Sequence, residues 1–470
     1  MTKTFKLSDD KKELIELLDK EIKEVKIPSG ITKICAQAFK DCNLLESVEI
    51  PNSVTKIEWG AFWGCEALCS INIPNNVTEI AEETFWWCSS LQEINLPSNI
   101  VKIDHRAFGC CGALETIIIP DSVREIGVCA FTYCTSLKHV KLPSKLNAIR
   151  YQTFNHCTSL QSIYIPIHVT IIEEEAFMAC GSIESLIIPK NVVTIEDRAF
   201  AECTSLKTVF INESETPLFI GCYDIGCWSD MFTTSPIETL YIGRNLKYDI
   251  SPFYGKTTLK TVSIGNNITK ITKALFHHCT SLQSIIIPDN ISEIETEAFA
   301  CCSSLQNIEI PLSVKKIGNG AFKHCYSLQN IKIPAGVTEI SDYIFQFSSL
   351  KDIHMSDQVT RIGCNAFESC TKLQNINLPH DLVEIGEEAF SGCESIEIIE
   401  LPNRIANIKA RAFYYCTALK QITIPYSVKH IGNEAFCECT SLQSIYITNS
   451  AIKMGKDIFK GSDINLVQTY

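Results

Sequence analysis

The chain has 470 residues, of which 46% are hydrophobic and 20% charged; such a composition excludes a disordered or collagen-like polypeptide and supplies enough apolar surface for an extensive core. Its 41 Lys and Arg against 54 Asp and Glu give a formal net charge of −13, a sign that repels phosphate backbones and anionic headgroups, so no nucleic-acid or membrane-surface partner is expected. No stretch approaches the roughly 18 apolar residues of a spanning segment, so membrane insertion is not expected either.

The first thirty residues scatter Asp and Glu through a segment without a secretory-length apolar core, so no signal peptide is expected and, if Met1 is the native start, the compartment is cytoplasmic. Residues 8–20, SDDKKELIELLDK, predict a short amphipathic helix with Ser8 as N-cap and Leu14, Ile15, Leu17 and Leu18 on its apolar side. Residues 1–21 are therefore read as an N-terminal capping helix.

From residue 22 onward a period of 23 governs the chain. Cysteines stand at Cys42, Cys65, Cys88, Cys111, Cys134, Cys157, Cys180 and Cys203, and the phase returns at Cys279, Cys302 and Cys325 and again at Cys370, Cys393, Cys416 and Cys439. Fifteen of the 24 cysteines share this phase, so position explains most of them. The stretch Cys65, Leu68, Ile71, Ile73, Pro74, Val77, Ile80, Phe85, Cys88 shows one full unit. Leu-x-x-Ile-x-Ile ends in two-residue alternation, which places Ile71 and Ile73 on one face of a half-buried strand. Proline follows at the same phase in 14 of its 17 occurrences and marks the strand end, because it cannot donate to a ladder. Val-x-x-Ile predicts a second short strand, and x-x-x-Ala-Phe-x-x-Cys a helical or 3-10 turn that brings the chain back. A unit of this size cannot bury its apolar side alone, so neighbours must stack on it.

The unit L-x-x-I-x-I-P-x-x-V-x-x-I-x-x-x-A-F-x-x-C resembles the BspA-like subclass of leucine-rich repeats, over about residues 22–460. The resemblance implies an α/β solenoid: a right-handed, curved superhelix with a parallel sheet on its concave face and short strands and 3-10 turns on its convex side. It further implies a non-enzymatic binding or adhesion role and placement on a cell surface or outside the cell. On this reading one continuous solenoid, with regular repeats over 22–211 and 257–460, replaces the two or three domains that length alone suggests.

Between these runs, residues 212–256 are irregular. Asn212 replaces the strand-end proline, and ESETPLFIGCYDIGCWSDMFTTSP intervenes before Leu240-Tyr241-Ile242 resumes the strand phase. Taking Thr234 as the equivalent of Cys203, about eight residues are inserted, either as a loop on one face or as a degenerate repeat. A second slip, at 345–350, lacks its Cys. Residues 461–470 lose the pattern and are read as a C-terminal cap.

Metal chemistry finds little support. No Cys-x-x-Cys pair joins a second at zinc-finger spacing, and His277-His278 match solvent-side residues of other units such as Lys40-Asp41, so no metal and no cofactor is expected. Stacked anchor cysteines run parallel with Cβ atoms too far apart for a bridge; a ladder of free thiols acting as core filler is expected, with Cys222 and Cys227 the pair to watch for oxidation. No hydrolase, phosphate-loop or zincin motif is present, so the chain is not expected to be an enzyme.

Recognition then falls to the sheet face. Five residues after each anchor runs a lane of small polar groups such as Ser47, Ser70, Thr116 and Ser162. Seven after runs a lane whose middle reads Ile118, Lys141, Tyr164, Ile187, Phe210, Tyr241. Exposed on consecutive strands, these would form an apolar stripe of the kind that marks partner sites, unless they stand there because such residues suit strands. A second patch is Trp59, Trp63, Trp86 and Trp87, with Trp63 and Trp86 expected to stack on the outer face or thicken the core edge. The expected function is recognition of a protein or glycan by a monomer, through the sheet face and the insertion at 212–235. The alternative is a purely structural, self-associating repeat protein.

Overall fold

The computed structural model describes residues 4–221, 231–232, 234–449, 451–462 and 464, and the backbone of 466–469. Contacts divide the chain into two units: Met1–Ile237 with Leu246–Pro252, and Glu238–Asn245 with Phe253–Tyr470. Both are built of the same parallel-strand coil, repeated about 19 times along the chain.

One coil shows why the sequence winds this way. Leu68, Ile71 and Ile73 are buried while Ser70 and Asn72 face out, so the alternation becomes a strand edge at Ser70–Ile71. Pro74 O then accepts Val77 N–H at 3.0 Å, closing a turn at the corner. Glu79–Ile80 forms the second strand and pairs in parallel with Lys102–Ile103, which pairs with Glu125–Ile126. The return segment carries turns closed by Thr84 N–H to Ala81 O, Trp86 N–H to Glu83 O and Cys88 N–H to Phe85 O. Between these, Glu83, Phe85 and Trp87 donate to His105, Ala107 and Gly109 of the next coil at 2.9–3.0 Å.

That alternation corrects the expected helical return: the described residues contain no helix, only single turns closed by isolated i→i−3 bonds, so the fold is a β-solenoid rather than α/β. Every second N–H leaves the segment for its neighbour, and Glu83 and Trp87 take left-handed φ of 53° and 64°. Both features are incompatible with continuous i→i−4 or i→i−3 bonding.

Two buried rows run through each unit. Phenylalanine rings stack from Phe39 to Phe232 in the first unit, with centroids 4.9–6.2 Å apart, and from Phe276 to Phe459 in the second, at 5.1–5.7 Å. Beside them lie the anchor thiols. Cys65 Sγ donates to Phe39 O at 3.1 Å, the same carbonyl that accepts Cys42 N–H, and Cys416 Sγ donates to Phe390 O at 3.2 Å. The position therefore calls for a small side chain with one donor, and serine can supply it: Ser235 Oγ donates to Phe200 O and Ser462 Oγ to Phe436 O. Cysteine does this while staying apolar enough for a fully buried site. All 22 described cysteines are free. Cys222 and Cys227 lie outside the described residues.

The irregular segment gains a definite register. Ser235, not Thr234, takes the anchor position; its contact with Phe200 spans 35 residues where a regular coil spans 26, so this coil is nine residues longer. Leu218–Ile220 is no loop but the second strand of that coil, with Phe219 opposite Thr194 and, on its other side, Lys247. Lys256 occupies the following anchor position, beside Phe253, whose carbonyl accepts Cys279 Sγ at 3.2 Å.

The N-terminal helix is also corrected. Phe5–Leu7 and Glu13–Leu17 form an antiparallel hairpin, and Glu13-Leu14 pairs in parallel with Lys33-Ile34. Ser8 caps a turn instead of a helix: its hydroxyl accepts Glu13 N–H and donates to Asp10, and Lys11 adopts a φ of 58°. Leu14 and Leu17 are fully buried, whereas Leu18 faces out. Leu17 N–H donates to Ala38 O as Phe39 N–H does to Ala61 O, which sets Leu17 at the start of the phenylalanine row. At the other end, Leu466–Thr469 adds a parallel strand to Ser444–Ile447.

Candidate functional site

The outward lane of the first sheet follows from strand alternation. In Ser185–Ile188 and Thr208–Ile211, Leu186, Ile188, Val209 and Ile211 point into the core, which forces Ile187 and Phe210 outward, directly opposite each other. Ile118 is 67% exposed, Tyr164 79%, Ile187 56% and Phe210 40%; Lys141 pairs beside Ile118 and is exposed as well. These five belong to the first unit. Tyr241 keeps the same alternation in Thr239–Ile242 of the second unit, between buried Leu240 and Ile242; it is half-buried and stands opposite Ser263. Ile286, at 83% the most exposed large apolar side chain described, lies on the same lane in the second unit and went unremarked because its neighbours in sequence register are polar.

The ladder is interrupted at residues 162–165, which keep the alternation, with Ile163 and Ile165 buried, but form no strand with the coils on either side. A depression of about 320 Å³ opens there, lined by Tyr164, Ile165, Ile167, Ile187, Pro189 and polar Ser162, Ser185 and Asn212. Similar hollows occur on this lane near 24–95 and 374–403, but those are lined by Glu24, Glu49 and Asn72 in one case and Asp357, Glu397 and Glu400 in the other. All three have apolar side chains in their walls, and the hollow around Tyr164 is the least polar of them.

The tryptophan group forms a different surface. Trp59 and Trp87 are exposed, Trp63 and Trp86 half-buried. The expected stacking of Trp63 on Trp86 does not form. Lys40 sits over Trp63 with its ammonium 3.9 Å from the ring centroid, and Arg106 over Trp86 at 5.1 Å. The Trp86 ring lies across Gly109, where any Cβ would come within 2.2 Å of it. Trp86, Trp87, Tyr133, Cys110 and Cys129 line a cleft of about 620 Å³ on the outer turns. Burial pushes the Cys110 thiol up to about 11, so it is no ready nucleophile.

On the outer turns of the second unit, ligand atoms of His277, His278 and Cys301 lie within 4.8 Å of one another. Adjacent-coil spacing brings Cys301, rather than the anchor Cys302, beside His278. Reading His277-His278 without the coil above them misses this third member.

Surface ion pairs also recur at coil spacing, as in Lys138–Glu115 at 2.9 Å and Arg404–Asp381 at 2.8 Å. Exposed pairs of this kind contribute about 0–1 kcal/mol each, so they decorate the stack while the buried rows hold it.

Parallel coils with a Leu-x-x-Ile-x-Ile strand and a buried phenylalanine row define a leucine-rich-repeat solenoid. The model for the "BspA type Leucine rich repeat region (6 copies)" matches residues 18–138, 101–225, 247–374 and 338–465, and the chain belongs to that family. Among solved structures it is similar to a leucine-rich repeat protein from Bacteroides ovatus (23% identity over 96% of this chain and 97% of that one, TM-score 0.35). It is likewise similar to a leucine-rich cell surface protein from Faecalibacterium prausnitzii (25% over 95% and 93%, TM-score 0.35) and to a leucine-rich repeat protein of T. pallidum (30% over 39% and 89%, TM-score 0.36). No curated protein matches. The family suggests a protein-binding or adhesion scaffold and indicates no catalytic chemistry. No helix among the described residues is long and apolar enough to cross a membrane.

Proposed function

We propose that the chain is a non-enzymatic recognition scaffold that docks a protein partner on the sheet face of its first unit, through Ile118, Tyr164, Ile187 and Phe210, with Lys141 at the rim. The observation that carries this reading is the apolar hollow around Tyr164 and Ile187, set among small hydroxyl side chains. Large apolar side chains held this far out of the coil surface are the groups that anchor interfaces. Their removal costs the fold little, because exposed strand positions contribute within about 0.5 kcal/mol each. The triple variant Tyr164→Ser, Ile187→Ser, Phe210→Ser is therefore expected to retain the parent's melting transition and to lose at least tenfold in capture of a stoichiometric protein ligand in a quantitative pull-down. Equal capture by parent and variant removes the proposal. A parent whose mass by light scattering grows with concentration, and a variant whose mass does not, would assign the same lane to self-association instead; capture of purified glycans and no protein would assign it to a glycan.

A further inference from the structure

We propose that His277, His278 and Cys301 form a binding site for a divalent cation of the zinc class on the outer turns of the second unit. The three side chains come from adjacent coils whose backbone is fixed on both sides. His278 N–H donates to Ala300 O at 2.9 Å and Cys301 N–H to Lys323 O at 2.7 Å. Both residues occupy the left-handed position before an anchor, with φ of 60°, so one stands over the other at coil spacing. His277 and His278 rings lie parallel with centroids 4.6 Å apart, and Tyr254 packs edge-on against both. The next histidine in the row, His324, is occupied: its Nδ1 meets the Tyr326 hydroxyl at 2.8 Å and its ring stacks on Phe347.

Two imidazoles and a thiol are the borderline-soft ligands that favour zinc over magnesium or calcium. With metal–nitrogen bonds of about 2.0–2.1 Å and a metal–sulfur bond of about 2.3 Å, tetrahedral binding needs ligand atoms roughly 3.3–3.6 Å apart. The ligand atoms now lie within 4.8 Å of one another, and one imidazole must rotate out of the parallel stack for both nitrogen lone pairs to meet a single ion. The Glu297 carboxylate lies 3.7 Å from His277 Nδ1 and can serve as fourth ligand or hold a metal-bound water. Lys323 opposes a cation here, but its ammonium is drawn over the Tyr343 ring. Burial, with help from His278, lowers the His277 imidazole from its usual value. Burial raises the Cys301 thiol; binding releases its proton to solvent as the metal–sulfur bond forms, so affinity must rise with pH.

The test uses the full, reduced chain without a polyhistidine tag, titrated with cobalt(II) and followed by the thiolate-to-cobalt charge-transfer band, with zinc as competitor. One cobalt per chain with that band is expected, displaced by zinc. Cys301→Ser should abolish the band, and His277→Gln with His278→Gln should weaken binding at least about tenfold, while Cys69→Ser leaves both unchanged. Alkylation of Cys301 in the unaltered chain, read by peptide mapping, should slow at least tenfold in zinc, which tests the site even if a variant misfolds. Absence of the band, its persistence at equal affinity in Cys301→Ser, or alkylation of Cys301 indifferent to zinc overturns the proposal.

Discussion

Replacing Phe390 by alanine is expected to destabilise the second unit by about 3–5 kcal/mol. Its ring is fully buried, with neighbouring rings at 5.1 Å on one side and 5.2 Å on the other, nearly parallel to both. Truncation removes the transfer energy of one ring and the stacking contact on both faces, and the gap cannot collapse. Phe367 and Phe413 are held at coil spacing by backbone bonds, Phe367 N–H to Ala389 O and Phe390 N–H to Ala412 O, each at 2.8 Å. Urea unfolding followed by circular dichroism measures the loss. Ile286→Ser, on the exposed lane of the same unit, should change the midpoint by less than about 0.5 kcal/mol equivalent. A Phe390→Ala cost as small as that would mean the ring row is not the core.

The second large effect is one of register. Deleting residues 371–393 removes one whole coil and leaves every row in phase, so Arg361-Ile362 can pair with Asn407-Ile408 as it now does with Glu384-Ile385. Since stability in such stacks is close to a sum over neighbours, this variant should keep a cooperative melt only a few degrees below the parent. Deleting 371–398 takes five residues more and leaves a coil about 17 Å short in extended chain. That segment cannot circle back, the second-strand ladder from 339–340 to 453–454 is cut, and cooperative unfolding of the second unit should be lost. Calorimetry distinguishes the two; identical melts for both deletions would refute the stacking register.

Much of this was legible in the sequence because a repeat states its core many times over. Leu68, Ile71, Ile73, Ile80 and Phe85 are all buried, and their positions recur coil after coil. The free thiols followed from parallel geometry, although the reason for cysteine in particular, donation to the phenylalanine carbonyl of the preceding coil, needed the coils placed side by side. Where the pattern occurs once, local propensity misled. Leu14, Ile15, Leu17 and Leu18 fit a helical stripe, yet the segment pairs with Lys33-Ile34, because covering an open ladder satisfies backbone groups that a helix would leave bare. The return turn was misread for the same reason: the acceptors for Glu83, Phe85 and Trp87 lie in the next coil, 22 residues on. The outward direction of Ile118, Lys141, Tyr164, Ile187 and Phe210 was legible from strand alternation, and Tyr241 keeps that alternation in the second unit, between buried Leu240 and Ile242. The cluster of His277, His278 and Cys301 was invisible to any reading confined to one coil at a time.

The anchor thiols are buried, hydrogen-bonded rungs between coils. Burial pushes Cys203, Cys279, Cys370 and Cys439 up to about 12, so the thiolate, the reactive form, is strongly disfavoured near neutral pH. Thiol labelling with mass-spectrometric mapping, first on the native chain and then after unfolding without reductant, puts this to the most direct test. The prediction is rapid native labelling at exposed Cys69, protection at every anchor from Cys65 to Cys439, and full labelling of all 22 described cysteines once unfolded. Anchor thiols that react as fast as Cys69 in the native chain, or that stay unreactive after unfolding because they are bonded in pairs, would contradict it.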